Sequence, residues 1–384
     1  MQKTIAIVTN STWNIHNFRL GLIKRLKAEG YKVLVIAPVD EYIHYLNESY
    51  FTKHIPLKNL SPQSKNPFKD ILLIWELFKI YKKEQPDLIL HYTIKPNIFG
   101  SIAAKMAKRA SISTVTGLGY TFLSYSFTNK VVKRLYRFAF EKIQKIIFHN
   151  PDDQKLFIDE KIIEKNKSIV IPGSGVNTNY FRPLAIQPNR EKFVFLFIGR
   201  LLYDKGIIEF VEAAKQLKAK IPQAEFWVIG QAEAKNPSIV SKKDLLKWVE
   251  AHYIRYMGPT KDVRKVIRKV DAVVLPSYRE GMPRAILEGM AMGKPIITTD
   301  TPGCKATVQG NGFLVPAKNV NALADAMLRL YRIDEIDYQL MSQKSRQMAL
   351  DVFDEKLIIE HYFDIIKSLI PDHYPLPATK CSVK

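Results

Sequence analysis

Residues 272–288 read Ala272-Val-Val-Leu275-Pro276-Ser-Tyr-Arg-Glu280-Gly281-Met282-Pro283-Arg284-Ala-Ile-Leu-Glu288. The first four are apolar and include two β-branched valines, as suits a strand buried on both faces. Pro283 stands where a proline opens a helix. The helix expected over residues 284–292 is largely buried, because Ala285, Ile286, Leu287, Met290 and Ala291 surround its one carboxylate. Strand, loop and helix make half of a parallel α/β unit, and in such sheets ligands collect beyond the carboxyl ends of the strands. Glu280 falls in that loop, and Glu288 about a turn and a half into the helix. Both carboxylates can therefore face one cleft. Each accepts directed hydrogen bonds at two oxygens, which suits sugar hydroxyls. Glu288 alone would read as a solvated helix face, and its apolar company weakens that reading.

Upstream, residues 193–198 form another buried strand, which runs into Gly199-Arg200-Leu-Leu-Tyr-Asp-Lys205-Gly206. A glycine, an arginine and a lysine before a helix start offer backbone N–H groups and two cations to a phosphate or diphosphate. Alone this is a weak signal. The second half adds strands at 224–229, 254–256 and 295–299 and a helix at 206–220. The first half shows the same alternation, with strands at 4–9, 32–37, 88–91, 146–149 and 169–171 and helices at 19–29, 70–84, 98–109 and 129–145. That pattern predicts parallel sheets covered by helices. Residues 181–190 contain two prolines and polar residues and read as the seam between two domains. A last helix is expected at 355–370, before a tail, 371–384, with three prolines.

The length of 384 residues favours two domains. Two cysteines, Cys304 and Cys381, lack metal-ligand spacing, so no disulfide framework is expected and a reducing cytosol is the default. Met1-Gln-Lys-Thr-Ile-Ala-Ile-Val-Thr9 reads as a strand and not as a signal peptide. No stretch reaches the roughly 18 to 20 apolar residues of a membrane span. The net charge is +21, and residues 1–186 carry 28 Lys and Arg against 14 Asp and Glu, while the rest carry 30 against 23. Nucleic acid, an acidic lipid surface and phosphorylated substrates could each exploit that excess, and a generally basic proteome would produce it without any partner.

Taken together, these residues resemble the glycosyltransferases of family 4, which are retaining enzymes of the GT-B fold. Their signature is a Glu, seven residues, then Glu, and Glu280 and Glu288 have that spacing. Gly199-Arg200 with Lys205 is similar to the family's diphosphate-binding pair. Pro172-Gly-Ser-Gly175-Val-Asn177, followed by Phe181 and Pro183, is similar to its hinge segment, and Gly310-Asn-Gly312-Phe-Leu-Val-Pro316 to the turn after its last strand. The resemblance covers nearly the whole chain. It implies an α/β fold of two Rossmann-like domains facing across a cleft, 1–185 for the acceptor and 186–354 for the donor, with 355–384 returning to the first domain. It also implies that Arg200 and Lys205 neutralise the donor diphosphate, that Glu288 holds the ribose, and that Glu280 contacts the donor sugar. Gly199, Gly281, Met282 and Pro283 complete the donor set, with Arg200, Lys205 and Glu280 the catalytic group. Neither a metal nor a cofactor is expected, and the chain contains no Asp-x-Asp.

On the acceptor side the resemblance points to the loop Asn10-Ser-Thr-Trp-Asn14-Ile-His16-Asn17-Phe-Arg19, to Lys95 and Asn97, and to Gly117, Gly119 and Gly175. Three departures stand out. The first loop lacks the family's double glycine, Ile94 and Lys95 stand where relatives place a histidine and an acid, and Ala306 stands for a usual Glu. His16 reads as a proton carrier or as a structural histidine. Thr93-Ile-Lys-Pro-Asn97, Thr116-Gly-Leu-Gly119-Tyr-Thr-Phe122 and Pro302-Gly-Cys304 narrow the resemblance to bacterial transferases that add an N-acetylhexosamine, often GalNAc, to undecaprenyl-diphosphate-linked sugars. The implied partners are a UDP-sugar, a lipid-linked glycan acceptor and an anionic membrane, with the protein peripheral on the inner face of the cell membrane. Residues 129–145 fit that surface, with Lys130, Lys133, Arg134, Arg137, Lys142 and Lys145 interleaved with Leu135, Tyr136, Phe138 and Phe140. The same residues would also suit a helix whose apolar side is simply core.

Competing readings fare less well. No nucleic-acid-binding signature accompanies the charge. Residues 10–19 contain no glycine, which removes a dinucleotide-binding dehydrogenase. A nucleotide-sugar epimerase of the same fold would lack the Glu280–Glu288 arrangement. A transferase with a soluble acceptor stays open.

Overall fold

Alternation of short apolar runs with amphipathic ones yields two all-parallel sheets in the computed structural model, which describes residues 2–46, 48–61, 66–118, 127–183, 192–232 and 238–370. The chain divides into two units, 1–174 with 356–384, and 175–355.

The first unit holds seven strands, β1 (Thr4–Val8), β2 (Lys32–Ala37), β3 (Lys53–Pro56), β4 (Leu88–Tyr92), β5 (Ala110–Val115), β6 (Lys145–Phe148) and β7 (Ser168–Val170). Their order is β3-β2-β1-β4-β5-β6-β7. β1 and β4 are buried throughout, as expected for central strands covered on both faces. One face is covered by α3 (Pro67–Glu84), α4 (Ser101–Ala107) and α5 (Phe127–Phe140), through Leu73, Leu77, Ala104, Tyr136 and Phe140. α6 (Pro151–Asp159) adds Phe157 to the same layer. The other face takes α1 (Thr12–Phe18) and α2 (Leu20–Ala28), through Ile15, Leu22, Ile23 and Leu26.

Several features of this unit differ from the sequence reading, among them the helix expected at 129–145, which ends at Phe140 before β6 opens at Lys145. Residues 12–18 form a helix where a loop is expected, because Ser11 caps it by accepting from the Asn14 N–H at 3.1 Å. β3 and β5 do not stand out in the sequence. β5 is Ala-Ser-Ile-Ser-Thr-Val, and its polar groups are satisfied internally: Ser111 N–H donates to Gln144 Oε1 at 2.7 Å, and Ser113 Oγ lies 3.0 Å from Ser101 Oγ. The helix expected at 98–109 opens instead as a π turn over Pro96–Gly100.

The second unit holds β8 (Phe193–Ile198), β9 (Ala224–Ile229), β10 (Arg255–Tyr256), β11 (Ala272–Leu275), β12 (Ile296–Thr299) and β13 (Gly312–Val315), ordered β10-β9-β8-β11-β12-β13. The segment around Gly312, expected as a turn, is therefore the edge strand itself. α7 (Ile207–Lys218), α8 (Lys242–Glu250), α9 (Arg264–Ile267), α10 (Arg284–Ala291), α11 (Val320–Arg332) and α12 (Glu335–Asp351) complete the unit around one core. α13 (Glu355–Leu369) leaves it and buries Ile358, Tyr362, Phe363 and Ile366 beside α1 and α2 of the first unit.

The division falls at Gly175, so residues 175–183 join the second unit and not the first, where the domain reading to 185 puts them. Arg346 holds them there, donating to the carbonyls of Thr178 at 3.1 Å, Phe181 at 2.9 Å and Ala291 at 2.6 Å. The rest of the seam, 184–190, and the tail from 371 lie outside the described residues.

Candidate donor and acceptor sites

Strand order reverses direction between β8 and β11 in the second unit, and between β1 and β4 in the first. Such reversals open a crevice at the carboxyl ends of the strands. The loops after β8 and β11 meet there backbone to backbone. Gly206 has φ +74°, and a Cβ on it would lie 2.1 Å from the Pro276 carbonyl oxygen. Gly303, after β12, has φ +78° and the same problem with the Glu280 carbonyl at 2.4 Å. Only glycine permits either contact. Hydrogen bonds fasten the seam: Tyr278 N–H to the Asp204 carbonyl at 2.9 Å, Glu280 N–H to the Pro302 carbonyl at 3.1 Å, and Thr298 Oγ1 to the Leu275 carbonyl at 2.7 Å.

On this frame the side chains come together as the sequence suggests. Lys205 Nζ donates to Glu280 Oε1, with the two side chains 21% and 12% exposed. One turn into α10, Arg284 Nε donates to Glu288 Oε1 at 2.9 Å. Burial pushes the Glu288 carboxyl up from the ordinary glutamate range, against the opposite pull of Arg284. Gly281 and Pro283 are buried between the two carboxylates, with Met282 half-buried. Arg200 is exposed at the end of β8. One expectation changes. The N–H groups of Gly199, Leu201, Lys205 and Gly206 already donate within the unit, to Ile229, Gln231, Leu202 and Tyr203. An anion therefore meets the cations of this loop and the open first turn of α7, and not a cradle of loop N–H groups.

Three further residues, Tyr278, Glu209 and Lys318, escape the sequence reading. Tyr278 donates to Glu209 Oε1 at 2.6 Å, and Lys318 Nζ stands 4.9 Å from the centre of the Tyr278 ring. Glu209 is buried in the first turn of α7 with its second oxygen unpartnered among the described residues. In sequence it is an ordinary helix-face acid. Cys304 is buried beneath the Glu280 loop, and burial with the nearby Glu280 charge pushes its thiol up to about 11.

At the β1/β4 edge several expected acceptor residues are already engaged. Lys95 Nζ pairs with Asp70 Oδ1 at 2.5 Å. Asn97 is buried and donates to the Thr114 carbonyl at 2.8 Å. Asn17 Nδ2 bonds the Trp13 carbonyl at 2.9 Å, and His16 stands between Tyr42 and Tyr45, with ring centres 6.0 and 5.5 Å away. Asn14 is buried with its Oδ1 unpartnered among the described residues. Gly117 follows β5 with φ +138°, and Gly175, φ +72°, opens the second unit. Gly119 lies outside the described residues.

The same edge carries a buried polar group to which the sequence reading gave no role. Arg19 is 3% exposed, its guanidinium 3.8 Å from the centre of the Tyr92 ring. His149, at the end of β6, is buried with Nε2 unpartnered among the described residues, and burial with the Arg19 charge lowers it to about 3. Thr93, just past β4, has φ +72°, which is strained for a β-branched residue and marks a constrained backbone at the crevice.

Residues 4–150 match the family model described as glycosyl transferase 4-like, and residues 192–332 the one described as glycosyl transferases group 1. The chain is 29% identical, over 95% of its length and 99% of the relative's, to the N,N'-diacetylbacillosaminyl-diphospho-undecaprenol alpha-1,3-N-acetylgalactosaminyltransferase of Campylobacter jejuni. It is 28% identical, over 85% of each chain, to the UDP-Gal:alpha-D-GlcNAc-diphosphoundecaprenol alpha-1,3-galactosyltransferase of Escherichia coli. Among solved structures, Anabaena HepE in complex with UDP and glucose aligns with a TM-score of 0.79 at 19% identity, covering 96% of this chain and all of that one.

Proposed function

The chain belongs to the glycosyltransferases of family 4, and on that basis we propose that it moves an N-acetylhexosamine such as GalNAc from a UDP-sugar to a sugar carried on a lipid diphosphate. Transfer is with retention and without a metal, at the inner face of the cell membrane, in surface-glycan or glycoprotein oligosaccharide synthesis. The observation that carries this reading is the pairing of Lys205 with Glu280 and of Arg284 with Glu288 at one strand-order reversal. That array offers cations to a diphosphate and carboxylates to hydroxyls within one crevice.

In this reading Arg200 and Lys205 take the donor diphosphate and stabilise it as it leaves. Glu280 is released from Lys205 as the phosphates arrive and turns to the donor sugar. Glu288, whose carboxyl is raised by burial against the pull of Arg284, holds the ribose hydroxyls. The relatives named for diphospho-undecaprenol acceptors support the lipid-linked acceptor and, in one case, the N-acetylgalactosaminyl group. The first unit takes that acceptor at its β1/β4 edge, and its basic surface meets the membrane.

The test is to incubate the full chain with a panel of UDP-sugars and an undecaprenyl-diphosphate-linked acceptor in vesicles. Chain extension with one UDP-N-acetylhexosamine, undiminished by a chelator, supports the proposal. Extension only of free saccharides, or interconversion of the UDP-sugar with no acceptor present, overturns it.

A further inference from the structure

Helix α3 has two apolar faces, and the core uses one. Leu73, Leu77 and Tyr81 are fully buried against the sheet. On the opposite side Phe68, Ile71, Leu72 and Trp75 recur at i, i+3, i+4 and i+7 and are 75, 52, 54 and 50% exposed. Isolated surface apolar residues need no explanation, but four on one helical stripe do. Further along, the same stripe turns into exposed Lys79, Lys82 and Lys83, with exposed Lys69 beside its start.

The helix's acids are all turned inward. Asp70 pairs with Lys95, Glu76 accepts from the N–H groups of Lys58 and Asn59, and Glu84 pairs with Lys53. The solvent face is therefore aromatic, aliphatic and cationic, with no carboxylate of its own. α5 belongs to the same helical layer and exposes Lys130, Val131, Arg134 and Phe138. Trp75 meets Phe78 edge-on, ring centres 5.6 Å apart.

A stripe of this composition fits the headgroup boundary of an anionic bilayer. Its rings and branched chains partition below the phosphates, while the lysine stems reach back to them. A soluble protein partner of ordinary surface would leave the lysine flank without complementary charge. We infer that the N-terminal half of α3 is an interfacial anchor that inserts Phe68, Ile71, Leu72 and Trp75 into an anionic membrane. Asp70 lies within the stripe's span and bonds Lys95 at the β1/β4 edge. The anchor thus sets that edge at headgroup level, where a lipid-linked acceptor presents its diphosphate. This placement rests on the proposed function; the insertion itself does not.

The experiment uses the full chain with phosphatidylcholine vesicles, with and without phosphatidylglycerol, some carrying bromine in the acyl chains. Brominated anionic vesicles should quench tryptophan emission, and Trp75→Phe should remove most of that quenching while sedimentation with vesicles persists. The variant Phe68→Ser/Ile71→Ser/Leu72→Ser should co-sediment at least about tenfold less, in line with lost apolar burial. It should keep the UDP-induced rise in melting temperature, which reports the second unit. No vesicle binding by the parent chain, or undiminished binding by the triple variant, overturns the anchor. So does light scattering that shows a dimer dissociated by the same substitutions, since a second copy would then cover the stripe. Vesicle binding that follows the prediction in a chain without transferase activity upholds the anchor and counts against the proposed function alone.

Discussion

Glu288, assigned to ribose binding in the proposed function, also carries a cost to stability. Its carboxyl is raised by burial, so the folded state holds a proton more tightly than the unfolded chain does. The stabilisation that goes with that proton is complete below the ordinary glutamate pKa and is lost as pH rises through the raised value. Glu288→Gln should therefore melt higher than the parent at pH 8, with the gap closing as the pH approaches 4. In the proposed role the same variant should bind UDP roughly tenfold or more weakly, because an amide accepts hydroxyls at one oxygen where the carboxylate offers two. Melting curves across pH, read beside a UDP titration, check both. An equal gap at all pH values would show that the burial of charge is not what the substitution relieves. The pair Glu280 and Glu288 was legible in sequence because both lie in one strand–loop–helix run. Glu209 and Arg19 were not, since each acts through partners remote in the chain: Tyr278 for one, Tyr92 for the other.

At the scale of elements, the proposed donor site depends on two loops that share backbone contact. Gly206→Ala would place a Cβ 2.1 Å from the Pro276 carbonyl at a φ of +74°. Relief requires the loops after β8 and β11 to part, which separates Lys205 from Glu280. We expect a loss of about 2–4 kcal/mol in stability, and UDP binding reduced beyond what that loss explains. Urea unfolding with and without UDP measures both, and a variant that unfolds and binds like the parent would remove the argument. Central strands such as β8 and β11 could be read from their apolar runs. β5 could not, because Ser111, Ser113 and Thr114 are buried polar residues whose partners come from other elements. α1 was hidden for the opposite reason. Seven residues of weak helix formers become helical through one serine cap and through Asp40, which accepts from Trp13 N–H at 3.2 Å.

For the molecule as a whole, the sequence made two α/β units readable, while the assignment of residues 175–183 needed the contacts of Arg346, far along the chain. The first unit should also be the acid-sensitive one. His91 and His149 are both lowered to about 3 by burial, so the folded unit keeps them neutral while the unfolded chain protonates near 6.5. Their contribution is present above pH 6.5 and is lost as pH falls toward 3, on the order of 5 kcal/mol for the two together by pH 4.5. A chain carrying His91→Gln and His149→Gln should be less stable at pH 7 but lose less on acidification, as urea midpoints from pH 7 to 5 would show.

The central claim is that the cations after β8 exist to hold a diphosphate. Calorimetric titration of the full chain with UDP and with uridine tests it most directly. The account predicts that UDP binds at least about tenfold more tightly than uridine, as expected for charge-assisted contacts to phosphate, and that Lys205→Ala, with its fold intact by circular dichroism, erases most of that preference. An undiminished preference for UDP in Lys205→Ala would contradict it.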